Sequence, residues 1–158
     1  MIILDYKLSK DWNINTLNLD LTRIDKDELL YGFFLGDVIV VIKNIDFSTS
    51  WGWVPILDFS RGFLNTVKTA NETGEGIFEF TESEAQIKII RRNKIAIVSS
   101  SYQNQIAEIP FSELLTVSQA FFGKVLQDLF SQFPSLKSNT YFLEIFHELD
   151  NEQSKERK

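Results

Sequence analysis

"GIFEFTESEAQIKIIRRNKIAIVSSSYQNQIAEI", residues 76–109, decides the fold class. Four short runs rich in β-branched and aromatic residues, 76–81, 84–90, 94–100 and 105–109, are separated by polar turns that include RRNK and SYQNQ. That is the pattern of an antiparallel four-strand meander. Downstream, Leu115, Ser118, Phe122, Leu126, Leu129 and Phe133 recur at helical spacing, and Leu114, Phe121, Val125 and Phe130 broaden the stripe. This predicts a long amphipathic helix with Ser112 as its N-cap and Pro134 as its stop. A shorter helix over about 140–149 turns Phe142, Ile145, Phe146 and Leu149 inward.

Upstream of the meander, NETGEG breaks the chain. Before it, Ile56, Phe59, Phe63 and Val67 mark a helix from Pro55 to about Ala70. Gly62 weakens its interior modestly. Earlier still, ELLYGFFLGDVIVVIKNIDFS predicts a hairpin that turns at Gly36-Asp37. Its strand DVIVVIK is apolar on both faces and belongs at the centre of a sheet. IILDYKL (2–8) and NTLNLDLTRI (15–24), with Leu17, Leu19 and Leu21 at period two, add two more strands.

The order strands, helix, meander, two helices implies an α+β domain. We expect one domain over residues 1–149: an antiparallel sheet of about six to eight strands, with two or three helices packed mainly on one face. Residues 150–158, DNEQSKERK, are all polar or charged and predict a disordered tail. At 158 residues such a chain buries roughly 70% of the surface it exposes when unfolded. Fourteen Phe, three Trp and four Tyr supply much of that burial.

Composition narrows function. There is no cysteine, which removes disulfides, thiolate metal ligands and thiol nucleophiles and fits a reducing cytoplasm. No run of eighteen apolar residues suggests a membrane span, and the N-terminus lacks a signal-peptide pattern. A formal net charge of −6 repels nucleic acid and anionic membranes at long range and attracts basic partners. No cofactor or metal is expected. His147 is the single histidine and lies among glutamates on a helix, whereas transition-metal sites need several such ligands. No serine sits in a nucleophile elbow, and neither a P-loop nor a dinucleotide fingerprint is present. A helix followed by strands with Gln86 and Lys88 on one face is weakly similar to metal-dependent nucleases, but the preceding acidic position is missing. A ligand carried in the Phe-rich interior is a further option.

Recognition remains. Glu72, Glu75, Glu79, Glu82 and Glu84 lie between Ala70 and Lys88 with no intervening base, forming an acidic ridge over one hairpin. In STSWGWVP (48–55) an extended chain points Trp51 and Trp53 to the same side. Trp53 is placed to brace the helix–sheet junction as core, and Trp51, nearer solvent, is a candidate interface anchor together with Tyr102.

From about Asp46 to Asn139 the residues DFS.SWGWVPILDF, FEFTESEAQIK and FPSLKSN resemble a family of small uncharacterised bacterial α+β proteins. That resemblance implies no activity, and no catalytic residue is carried over. In general type, being small, acidic, cytosolic and α+β, the chain is also similar to immunity proteins of bacterial polymorphic and contact-dependent toxin systems. The expectation is therefore a non-enzymatic cytoplasmic immunity protein that occludes a basic toxin domain. Its alternative is a structural or regulatory interaction module, as a homodimer pairing through an edge strand or helix face.

Overall fold

The computed structural model describes residues 1–9, 20–81 and 83–156. Among these residues, eight strands and three long helices form an α+β architecture. The strands divide into two antiparallel sheets of four rather than one continuous sheet.

In the first sheet β2 (Leu35–Ile42) is central. It pairs on one side with β1 (Ile2–Leu8) and on the other with the short β3 (Ile45–Asp46) and β4 (Val54–Pro55). Gly36 and Asp37 lie inside β2, opposite Leu8 and Lys7, and not at a turn. The physical reason is a close approach: a Cβ on Gly36 would lie 2.1 Å from the Lys7 carbonyl oxygen, so glycine here lets β1 reach its register. The chain reverses instead at Lys43-Asn44, both at positive φ (48° and 70°), as the tight turn between the paired residues Ile42 and Ile45 requires. β2 buries alternate residues, Val38, Val40 and Ile42, while Ile39 and Val41 remain half-buried. Its central place comes from its pairing on both edges. Of the strand expected over 15–24, residues 15–19 lie outside the described residues. Residues 20–24 form a turn in which the Asp20 carboxylate accepts from the Thr22 amide (3.0 Å) and hydroxyl (2.6 Å).

The second sheet is the meander, in the order β5 (Glu75–Glu79), β6 (Gln86–Arg92), β7 (Ile95–Ser100) and β8 (Ala107–Pro110). Alternate residues Phe78, Ile87, Ile89, Ala96, Val98, Ala107 and Ile109 form its buried face. Helices α1 (Ile56–Thr73) and α2 (Phe111–Gln132) cover that face. α1 runs three residues beyond Ala70 and closes at the left-handed Gly74, whose N–H donates to the Ala70 carbonyl (2.9 Å). α2 starts directly from β8 with Pro110, not Ser112, at its N-cap, because the Phe111 N–H is already held by the Lys94 carbonyl (2.7 Å). A short 3₁₀ segment, Pro134–Ser138, then leads to α3 (Thr140–Glu156). The backbone stays helical past residue 149.

Buried Asn139 locks this end of the molecule. Its amide donates to the carbonyls of Leu21 (2.9 Å) and Ile24 (3.1 Å), and its oxygen accepts the Phe142 N–H (3.0 Å), capping α3. α1 is the hub that touches both sheets and α2. Phe59 on its inner face is fully buried, with ring centroids 5.4 Å from Phe63, 5.0 Å from Phe78, 5.6 Å from Phe80 and 6.2 Å from Phe121. Replacing Phe59 by Ala is expected to cost about 3–5 kcal/mol in urea unfolding. Thr116→Ala on the exposed side of α2 should stay within about 0.5 kcal/mol. A Phe59→Ala loss below about 1 kcal/mol would contradict its role as the joint of the core.

Candidate functional site

The alternation of β5 decides where its acids point. Phe78 faces the helices, and Glu75, Ile77 and Glu79 face outward. Beyond β5 the chain makes a tight connection to β6. The Phe80 N–H donates to the Ala85 carbonyl (3.0 Å), and the Ala85 N–H donates to the Ser83 hydroxyl (2.8 Å). The Ser101 hydroxyl accepts the Gln86 N–H (2.8 Å), and the Gln86 side-chain amide donates to Glu79 (3.3 Å). Together Glu79, Phe80, Ser83, Glu84, Gln86 and Ser101 line an open cavity of about 530 Å³. Among the described residues two carboxylates and no base line it, which makes its potential negative.

Phe80 lines the cavity and belongs to an aromatic cluster. Phe80 is buried, and the half-buried Trp51 meets it edge-on at 5.1 Å, with Tyr102 at 5.9 Å. Trp51 stacks on Trp53 (5.2 Å, 18°) and meets Tyr102 edge-on at 5.5 Å. The two indoles share a side as the sequence suggests; both are half-buried, and it is Trp51 rather than Trp53 that packs against the core. Gly52, at φ 79°, bends the chain between them, so Trp53 lies against Trp51 instead of entering the helix–sheet junction. Val54 and Pro55 fill that junction.

Asp37 holds this loop in place. One of its oxygens accepts from the Gly52 N–H and from the Thr49 hydroxyl, both at 2.8 Å. Read as a turn residue, Asp37 is the contributor that sequence reasoning missed. Its only signal is an isolated acid within an otherwise apolar strand. Tyr102 bridges the two sheets by donating its hydroxyl to the Phe47 carbonyl (2.6 Å). Burial, reinforced by Asp46, pushes its phenol well above the usual range, so it remains a donor.

The acidic ridge separates into parts. Glu79 and Glu84 share the cavity. Glu75, at the far end of β5, pairs with Lys88 (3.1 Å). Glu72 is exposed on the last turn of α1, and Glu82 lies outside the described residues. Gln86 and Lys88 are thus each engaged with a glutamate. His147 is exposed on α3. Among the described residues, no group of three or more His, Cys, Asp or Glu side chains is arranged to hold a metal. No described helix is long and apolar enough to cross a membrane.

Asp58, in the first turn of α1, anchors the connection beside the cavity by accepting from the Thr81 hydroxyl (3.3 Å). Burial raises its carboxyl above the ordinary value, against the pull of Thr81 and Arg61. No protein-family model, curated protein or solved structure matches this chain.

Two outcomes follow from these anchors. Asp37→Ala removes both acceptor contacts, so the indole emission should shift to longer wavelength as Trp51 and Trp53 hydrate; an unchanged spectrum would show that Asp37 does not hold the loop. For Asp58, a raised folded pKa means that protonation favours the native state. Stability relative to a non-titrating Asp58→Asn variant should therefore fall as pH rises from about 4 through the raised pKa and level off above it. Urea midpoints of the two proteins between about pH 4 and 7 check this, and a pH-independent difference would contradict it.

Proposed function

We propose that this protein is a non-catalytic binding protein: an immunity protein of the bacterial cytoplasm that neutralises a basic toxin by covering its active site. The observation that carries this reading is the cavity lined by Glu79 and Glu84, with no base among its described lining residues, where the lining ring Phe80 packs against Trp51 and Tyr102. A toxin that acts on an anionic substrate presents a positive site, and two carboxylates held beside the packed Phe80 ring imitate that substrate's charge. Complementarity of this kind speeds encounter and selects the partner, while apolar contacts nearby supply residence time. The absence of cysteine and the net charge of −6 are consistent with this setting. Glu82 belongs to the same connection in sequence. Glu72 and Glu75 contribute through the longer-range field, Glu75 less so because Lys88 neutralises it.

The test is capture from native cell lysate on the tagged full-length chain, washed at low and then high salt. One stoichiometric basic protein released by salt is expected. A Glu79→Lys, Glu84→Lys double variant should bind it at least about tenfold more weakly at low salt. Capture that survives both high salt and the double variant would overturn electrostatic occlusion through this cavity.

A further inference from the structure

A second cavity opens where the last turns of α1, the β6–β7 turn and the start of α2 meet. Its volume is about 410 Å³, and Asn71, Arg91, Lys94, Phe111, Ser112 and Leu115 line it. That is the size of a small-molecule site. The lining divides by chemistry. Phe111 is buried and Leu115 half-buried, while the four polar residues are exposed.

Arg91 is fixed before any ligand arrives. Its Nε donates to the Asn93 carbonyl (2.9 Å), and its Nη1 donates to the Asn71 carbonyl (3.2 Å) and to the Asn71 side-chain oxygen. The guanidinium carbon lies 5.2 Å from the centre of the Phe111 ring. Nη2 keeps both of its N–H groups without a hydrogen-bond partner among the described residues. Every acceptor is neutral, so the positive charge is held in place but not cancelled. Neither Arg91 nor Lys94 has an ion pair among the described residues, and no acid is among the described lining residues. Nearby acids are engaged elsewhere: Glu113 reaches the Met1 ammonium (3.9 Å) and Glu75 reaches Lys88 (3.1 Å). Two uncompensated cations beside apolar side chains, in a chain of net charge −6, suit an anion with an apolar body.

The net charge also limits what that anion is. Long-range repulsion grows with the ligand's own charge, which disfavours nucleoside triphosphates and nucleic acid. A monoanion meets the least repulsion and still gains the local pair. We propose that this cavity binds a small organic monocarboxylate, its carboxylate on Arg91 and Lys94 and its apolar body against Leu115 and Phe111. Ser112, in a first helical turn that no side chain caps, adds its hydroxyl. Arg91 and Gln86, which lines the acidic cavity, lie near opposite ends of β6. The two sites are therefore separate, and occupancy of this one does not rest on the toxin reading.

The test is a proton–nitrogen correlation NMR titration of the full chain with 3-phenylpropionate, acetate, inorganic phosphate and the neutral 3-phenylpropionamide, at fixed pH and about 20 mM salt. Saturating shifts centred on the amides of Asn71, Lys94, Ser112 and Leu115 are expected for 3-phenylpropionate, with a Kd on the order of 1 mM. Acetate and phosphate, which lack the apolar body, should each bind at least about tenfold more weakly. The amide, which lacks the charge, should do the same. Lys94→Glu, on an exposed turn, should weaken 3-phenylpropionate at least about tenfold while distant amides keep their positions. Shifts that do not saturate or that centre elsewhere, equal binding of the amide, acetate or phosphate, or binding that survives Lys94→Glu would each overturn the proposal.

Discussion

Phe59 is the contact on which the remaining structure depends. It lies on α1, the helix that touches both sheets, and its ring meets aromatic side chains of α1 itself, β5 and α2. Because Phe80 is one of them and Phe80 also meets Trp51 and Tyr102, the core continues without a gap into the lining of the acidic cavity. A residue such as Glu79 on the short β5 is therefore held by packing several residues away. Tyr102 extends the same logic between sheets: its ring joins the aromatic cluster, while its hydroxyl bonds the backbone at Phe47.

Charge has a different task. Several acids are matched across elements that are distant in sequence. Lys124 of α2 donates to Asp5 of β1 (2.6 Å), Tyr6 donates to Asp128 (2.6 Å), and Arg61 of α1 clasps Glu148 of α3 through two bonds of 2.8 and 2.9 Å. Partly exposed pairs of this kind contribute about 0–1 kcal/mol each, far less than a buried phenylalanine. They orient elements that hydrophobic burial has already brought together. Glu79 and Glu84 differ because no base among the described residues lines the cavity they share, and a pair without such a neighbour projects its field outward. Arg92 at the opposite end of the same sheet and Glu108 beside Ile97 are both exposed on its outward face, so charges of both signs are interspersed with the isoleucines there.

Much of the fold is legible in the chain because periodicity follows directly from burial of one face. The meander strands, the apolar stripe of α2 and the inward Phe142, Ile145 and Leu149 of α3 all lie where alternation or helical spacing puts them. Reading fails where an interaction reaches across the sequence. Gly36-Asp37 resembles a turn locally, yet the close approach of Lys7 places glycine inside a strand and leaves Asp37 to hold the tryptophan loop. Trp51 and Trp53 look equivalent, and only the positive φ of Gly52 and the position of Phe80 decide which one is packed. Likewise the five glutamates form one run in the sequence. Strand register separates Glu75, opposite Ile90 and within reach of Lys88, from Glu79, opposite Gln86.

The sequence by itself determined the α+β class, the four-strand meander, the helix faces, the excess of acid, the absence of cysteine and the single histidine, because composition and period depend only on neighbours along the chain. The tertiary structure alone decided that the strands form two sheets, that Glu79 and Glu84 share a cavity, that Trp51 rather than Trp53 meets the core, and that isoleucines and opposite charges gather on one open face. Each of these depends on which distant residues come within a few ångströms of one another, and local pattern does not encode that distance.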